Sequence, residues 1–387
     1  MTVALSIVCA VSLAWWAAQL VLFLVGGGRV RRLSALESAM PDGGWPRLSL
    51  VMPARNEAAH LEAALSLKLA SSYPNLELVL VNDRSTDDTG SIAERIAAKD
   101  ARLKVVHLAE LPEGWLGKLH AMAKGLEACT GEFVLFSDAD VFIAPGVFEK
   151  VISTAQREAL GFLCVFPRIT PGGAVLRLAI TTMFRVLTLF TRPWAVSDPR
   201  SSASIGVGAF NLVRRSALAK TKGLEWLKLE TGDDVALGWM MKASGARCDI
   251  FFGGDDVHLE FYPSFGVMMR AVEKNGASAP AGLLVLGALI LLVLEAGFFA
   301  GFAVGGAWAI AAAVILVGGP VLAWRVARWA GTPAGPAPIT WLGVFPFSFV
   351  LVRSALLALV RGGVSWRGTF YPTKVIARGR RYFARRP

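Results

Sequence analysis

An α/β domain with a parallel sheet, tied to a membrane by apolar helices toward both chain ends, is the architecture this 387-residue sequence predicts. Two observations carry it. Between residues 46 and 275, short apolar runs alternate with helix-patterned segments, the signature of strands joined by helical crossovers. Near-continuous apolar stretches also open the chain and fill its last third, each close to the length that spans a bilayer.

Composition agrees. Hydrophobic residues make up 54% and charged residues 18%, too apolar for a disordered chain. The net charge of +11 is unevenly placed: from Gly276 onward eleven Lys and Arg face the single acid Glu295, so +10 of it lies beside apolar segments. Such charge marks the cytoplasmic flank of a membrane protein rather than a nucleic-acid surface. Cys9, Cys129, Cys164 and Cys248 show no C-x-x-C spacing, which argues against a disulfide framework or a zinc site. The four histidines are dispersed.

Taken in order, residues 3–25 read as an uncleaved anchor, since no charge precedes the apolar core. The domain boundaries expected are 1–27 for this helix and 28–277 for the α/β domain. Arg29, Arg31 and Arg32 follow the anchor and put that domain in the cytoplasm. Within it, residues 48–52, 76–81, 104–108 and 133–136 read as strands, and 57–69, 89–98 and 116–129 as helices. Residues 174–192 carry Arg177, Thr181, Arg185, Thr188 and Arg192 at helical spacing. That helix either lies in the headgroup plane or packs on the domain's own core. Two spans, 281–304 and 307–324, make a segment 278–330. In the last segment, 331–387, the apolar stretch 339–360 is interrupted by Pro346 and Arg353. It is expected to be re-entrant or interfacial, because both residues are costly in lipid. The basic tail then stays cytoplasmic.

Ligands of parallel α/β sheets bind at the carboxyl ends of the strands. The first run ends in Pro53-Ala54-Arg55-Asn56-Glu57 and the second in Asn82-Asp83-Arg84-Ser85-Thr86-Asp87-Asp88-Thr89. The fourth ends in Ser137-Asp138-Ala139-Asp140, and Glu230-Thr231-Gly232-Asp233-Asp234-Val235 comes later. Acids gathered on one rim suit a hard cation, a sugar or a proton transfer. In this order, with Gly114-x-x-Gly117-Lys118 between them, the motifs resemble glycosyltransferase family 2 over about residues 48–275. The flanking spans and Val364-Ser365-Trp366-Arg367-Gly368 make the chain similar to members that act on lipids, of the hopanoid-associated, carotenoid and ceramide types.

The resemblance implies a GT-A nucleotide-sugar (Rossmann-like) domain with an N-terminal transmembrane anchor and C-terminal transmembrane helices. It implies that Pro53, Ala54, Arg55, Glu57, Asp83, Lys118 and Asp138 bind the donor, that Asp140 holds a divalent metal (Mg²⁺ or Mn²⁺), and that Asp234 is the catalytic base. Gly208, Asp233, Arg270 and Lys274 fall on the acceptor side or at the diphosphate. Asn82 stands where the family often has a second Asp, and Asp233 where it usually has Glu. The Gln-x-x-Arg-Trp of processive synthases is absent, which puts processive synthesis in doubt. The expected activity is inverting transfer of one sugar from a nucleotide-diphosphate sugar to a lipid hydroxyl, at the cytoplasmic face of the inner membrane. A polyprenyl phosphate is the alternative acceptor. A catalytically silent scaffold or lipid transporter is the alternative of another class.

Overall fold

The computed structural model describes residues 1–381. They form two compact units, and the chain passes between them several times. The sheet unit holds Val30–Arg168, Ala195–Glu260 and the chain from Arg378 on; the helical unit holds Met1–Arg29, Ile169–Trp194 and Phe261–Ala377. The boundaries expected from the sequence fall after residues 27, 277 and 330; by contact, the two units are interleaved along the chain.

In the sheet unit nine strands make one sheet. They are β1 (Arg31–Arg32), β2 (Leu48–Ala54), β3 (Leu76–Asp83), β4 (Leu103–Leu108), β5 (Phe133–Phe136), β6 (Phe142–Ile143), β7 (Phe162–Thr170), β8 (Asn211–Arg214) and β9 (Cys248–Glu260). The order is β1-β9-β7-β8-β5-β2-β3-β4, with β6 paired to β9. The run β5-β2-β3-β4 is parallel. Beyond it, β8 runs antiparallel to both β5 and β7, so the sheet is mixed rather than parallel throughout. The regular strand–helix alternation that dictates parallel pairing breaks down after β5.

β2 and β3 are interior strands covered on both faces, which is why each reads as an unbroken apolar run. Leu48, Leu50, Val51, Met52, Leu78, Val79, Leu80 and Val81 are all at most 1% exposed. Helix Gly117–Ala128 lies against these two strands. Register then positions the site. β2 and β3 pair Ala54 with Asn82, and β2 and β5 pair Val51 with Phe136. Arg55, Asp83 and Asp138, next along their segments, therefore leave the sheet at one edge.

In the helical unit, five helices are long and apolar enough to cross a membrane by length and composition. They are Thr2–Gly26, Ala174–Ala195, Ala281–Val304, Gly306–Ala330 and Ala337–Arg361. The last was expected to be interrupted at Pro346 and Arg353; instead the helix Val344–Arg361 runs through both, and the irregular stretch comes before it. A 3-10 stretch, Ala337–Gly343, precedes the helix Val344–Arg361, and Ile339 has non-helical dihedrals. Trp341 packs edge-on to Phe298 and Phe299, with centroids 6.4 Å from each. Farther along, Ser348 donates to the Ala288 carbonyl. Glu273 then pairs with Arg353 at 2.8 Å and Arg361 at 3.0 Å. The arginine that looked costly in lipid thus meets an acid that precedes the Ala281–Val304 helix.

Candidate active site

The loops after β2 and β3 are stitched to each other. Asn56 and Arg84 both take left-handed backbone, at φ 56° and 55°. Asn does so readily because its short polar side chain bonds locally. Here the Thr86 amide donates to Asn56 Oδ1 at 2.8 Å, and the Asn56 amide donates to Ser85 Oγ at 3.1 Å. The Glu57 amide donates to Thr89 Oγ1 at 2.8 Å and the Ala58 amide to Asp87 Oδ2 at 3.1 Å. Asn56 and residues 85–89 are therefore turn and capping chemistry. Glu57 is the N-cap position of helix Ala58–Leu69, Ala54 is the buried end of β2, and Pro53 lines the pocket described below.

Asp83 is 3% exposed. Its carboxylate accepts from Arg84 Nε at 2.7 Å and lies 3.9 Å from Arg55. Gly117 permits this approach: a Cβ there would fall 2.4 Å from Asp83 Oδ2. Trp115 packs at 5.7 Å between centroids on buried His120, whose pKa is lowered by burial.

Lys118 is the hub. It opens helix Gly117–Ala128, and its Nζ lies 2.7 Å from Asp138 and 3.3 Å from Asp233. Burial alone would lower its pKa. The charges of Asp138, Asp233 and Asp234 outweigh that and raise it well above the ordinary value. Asp234 sits in the first turn of helix Asp233–Ala243, where acids are favoured by the helix dipole. Its Oδ2 accepts from the Gly208 amide and its Oδ1 from the Val235 amide, both at 2.9 Å. The Gly208 carbonyl in turn accepts from the Asp138 amide at 3.0 Å, and Ser137 Oγ donates to the Ala209 carbonyl at 2.7 Å. Only glycine fits at this crossing: a Cβ on Gly208 would meet Asp138 Oδ2 at 2.8 Å, and one on Gly206 the Asp234 carbonyl oxygen at 1.9 Å. Five separate stretches thus line one small pocket, which includes Pro53, Lys118, Asp138, Gly208, Asn211 and Asp233.

The backbone turns after Asp138, and the Val141 amide donates to the Asp138 carbonyl at 3.4 Å. Among the described residues, no group of three or more His, Cys, Asp or Glu converges as a ready metal cage. Two carboxylates one residue apart still fit Mg²⁺ or Mn²⁺ chemistry, in which phosphate oxygens and water complete the shell.

One residue escaped the sequence reading. Lys68 is fully buried, and its Nζ donates to the Ala139 carbonyl at 3.3 Å, in the middle of the Asp138-Ala139-Asp140 turn. Burial pulls its pKa down to about 8 against the opposing charges of Asp140 and Asp138. A signal existed, since Lys68 continues the apolar face of Leu61, Ala64 and Leu65. Arg270 and Lys274 belong to the helical unit. Helix Phe265–Ala271 ends between them, and Lys274 Nζ sits 4.0 Å over the Trp366 ring.

Known proteins agree with this frame. Residues 49–221 match the family described as Glycosyl transferase family 2. Two Bacillus subtilis relatives are similar: the uncharacterized glycosyltransferase EpsJ, 30% identical over 30% of this chain, and the putative glycosyltransferase EpsH, 34% identical over 31%. The matches span 32% and 33% of those relatives. A Campylobacter jejuni protein named GalNAc(5)-diNAcBac-PP-undecaprenol beta-1,3-glucosyltransferase is 29% identical over 31% of this chain and 37% of its own length. Among solved structures, the mannosyltransferase PcManGT from Pyrobaculum calidifontis, in complex with GDP-Man and Mn²⁺, shares the fold. The TM-score is 0.51 at 20% identity, over 91% of this chain and 99% of that one. Sheet order, motif order and these likenesses agree: residues 49–221 are similar to glycosyltransferase family 2, on a GT-A fold.

Proposed function

We propose that the protein transfers one sugar, with inversion, from a nucleotide-diphosphate sugar to a lipid hydroxyl at the cytoplasmic face of the inner membrane. The observation that carries the reading is Lys118, which gathers Asp138 and Asp233 while Gly208 ties Asp138 to Asp234.

In this reading Asp234 is the base. Two backbone amides fix the orientation of its carboxylate. It takes the acceptor hydroxyl proton as that oxygen attacks the anomeric carbon from the side opposite the diphosphate. Lys118 meets negative charge on the departing nucleotide. Asp83, with Arg55 and the Pro53–Glu57 turn, holds the donor's nucleoside. Asp140 holds the divalent cation, with Asp138 toward the donor sugar, and a cation bound there offsets diphosphate charge. The Mn²⁺ and GDP-Man of the Pyrobaculum structure support both donor class and metal class.

The membrane side of the proposal rests on parity. β7 and β8 are hydrogen-bonded neighbours, so the Ala174–Thr191 helix between them starts and ends on one side of any bilayer. The Arg381 amide donates to Glu230 at 2.6 Å, so the chain returns to that same side after the C-terminal helices. An even number of crossings lies between Glu260 and Arg378. The reading that satisfies this has Ala281–Val304 and Gly306–Ala330 as spans and Ala337–Arg361 as a re-entrant hairpin.

The Campylobacter relative, named for an undecaprenyl-linked substrate, favours a second acceptor class, a polyprenyl phosphate. One experiment separates the readings. Nucleoside-diphosphate release is followed in detergent-purified protein with UDP- and GDP-sugars, Mg²⁺, Mn²⁺ or chelator, and lipid alcohols or polyprenyl phosphate. Release that needs metal and a lipid alcohol, and falls at least a hundredfold in Asp234→Asn, is expected. Release with polyprenyl phosphate that Asp234→Asn barely changes selects the second reading. Folded protein that releases nothing with any donor overturns both.

A further inference from the structure

A charged cluster lies buried in the helical unit. Arg185 donates through Nη1 to Gln19 at 2.6 Å and to Glu295 at 2.9 Å, and its Nη2 also donates to Glu295. Trp15 Nε1 donates to the same carboxylate at 2.7 Å, and the guanidinium stacks 4.4 Å over the Trp16 ring. Arg185 and Glu295 side chains are 1% and 0% exposed. An ion pair among apolar helices is costly to build and marks a functional site by default.

The cluster is incomplete in one respect. Arg185 Nε is buried with no hydrogen-bond partner. Beside it lies a cavity of about 10 Å³, lined by Gln19, Phe23, Arg185, Thr188, Trp194 and Leu322 among others. That is the space of one hydroxyl-sized group. Thr188 Oγ1 already gives its own hydrogen to the Phe184 carbonyl, so only its lone pairs face a ligand. Among the groups lining the cavity are a donor with no partner, Arg185 Nε–H, and an acceptor, Thr188 Oγ1, together with the Gln19 amide. Arg185 and Glu295 cancel in charge, so an anionic head gains nothing. A hydroxyl, which accepts once and donates once, satisfies both groups.

An apolar groove of about 450 Å³ adjoins this cavity at Leu322. Leu13, Trp16 and Leu20 form one wall; Val314, Gly318 and Gly319 form the other. Along both helices the polar cavity comes about one turn later in sequence than the groove, at Phe23 and at Val326. Groove and cavity thus form one slot with an apolar length and a polar foot.

From this geometry we infer a binding site for a lipid alcohol, its hydroxyl between Arg185 Nε and Thr188 Oγ1 and its hydrocarbon along the groove. The site stands on the helical unit alone and requires neither donor sugar nor metal.

The test is photolabelling of the full-length protein in detergent with a diazirine-bearing hexadecanol, read by peptide mass spectrometry. Label is expected on residues 13–20 and 311–322, displaced by hexadecanol but not by hexadecane or palmitate. Gly318→Phe fills the groove, since nothing lies within 4 Å of a Cβ at that position; it is expected to lose the label with its melting midpoint unchanged. Val314→Phe serves if that variant fails to fold, because Val314 is 65% exposed. Thr188→Val is expected to weaken displacement by hexadecanol about tenfold. Displacement by hexadecane or palmitate as strong as by hexadecanol overturns the inference, and so does label spread evenly over all spans. Donor and metal are absent throughout, so neither result bears on sugar transfer.

Discussion

Two lysines divide the labour around the Asp138-Ala139-Asp140 turn. Lys118 holds the turn from the pocket side through Asp138, and Lys68 holds it from the core side through the Ala139 carbonyl. Their energetics differ. Lys118 has close carboxylates to offset its burial, whereas Lys68 is desolvated down to about pKa 8 from an ordinary 10.5. Between those two values the unfolded chain binds more protons than the folded one, so stability rises with pH there; below about 8 the full penalty is present. Lys68→Met should therefore stabilise the protein at pH 7 by roughly 3 kcal/mol, with the gain shrinking toward pH 10. Thermal midpoints of both proteins at the two pH values check this, and an equal gain at both would refute it. Lys118 was legible as a donor-side residue from the Gly-x-x-Gly-Lys motif, but its carboxylate partners were not, and Lys68 looked like one more residue of an amphipathic helix. Asp83 is similar: its position after β3 was legible, but the Arg84 guanidinium on its carboxylate was not, because that contact depends on a left-handed turn at a non-glycine residue.

At the scale of elements, β2, β3 and β5 were legible because strands buried on both faces leave unbroken apolar runs, whereas the edge strand β4 is only partly buried. The antiparallel half was not legible, since β8 has four residues and pairs across long connections. What aligns the parallel half is partly Glu77 at the start of β3. Its carboxylate accepts from Ser49, from Arg47 and from the Thr130 amide. Burial would raise its pKa, but these hydrogen bonds prevail and bring it to about 2. The stabilisation is complete above about pH 4.5 and is lost as pH falls toward 2. Glu77→Gln should cost about 1–3 kcal/mol at pH 7, and denaturant midpoints of the two proteins should converge between pH 4.5 and 2. Gly206 makes a comparable demand at the site, because its would-be Cβ meets backbone rather than a movable side chain. Gly206→Ala should reduce kcat more than tenfold while leaving donor KM within about threefold, as measured by steady-state nucleotide release.

For the molecule as a whole, the proposed even number of crossings predicts a reporter fused after Pro387 that reads cytoplasmic, like one inserted in the surface loop at Gly114. A periplasmic reading at the C-terminus would refute the re-entrant assignment of Ala337–Arg361. Arg353→Leu, which strands Glu273 from one of its two arginines, should lower the melting midpoint by several degrees. The interleaving of units also bears on how the enzyme can be handled. Anchors at chain ends can be trimmed, but Ala174–Thr191 is a detour between two neighbouring strands and survives any terminal deletion. A fragment cut to residues 30–260 would still carry Val175, Leu187 and Phe190, already 51%, 41% and 69% exposed in the intact chain. It would also lack Gln19 and Glu295, the partners of Arg185. Preparing this catalytic domain in water thus means replacing that helix with a short polar linker rather than shortening the gene from either end.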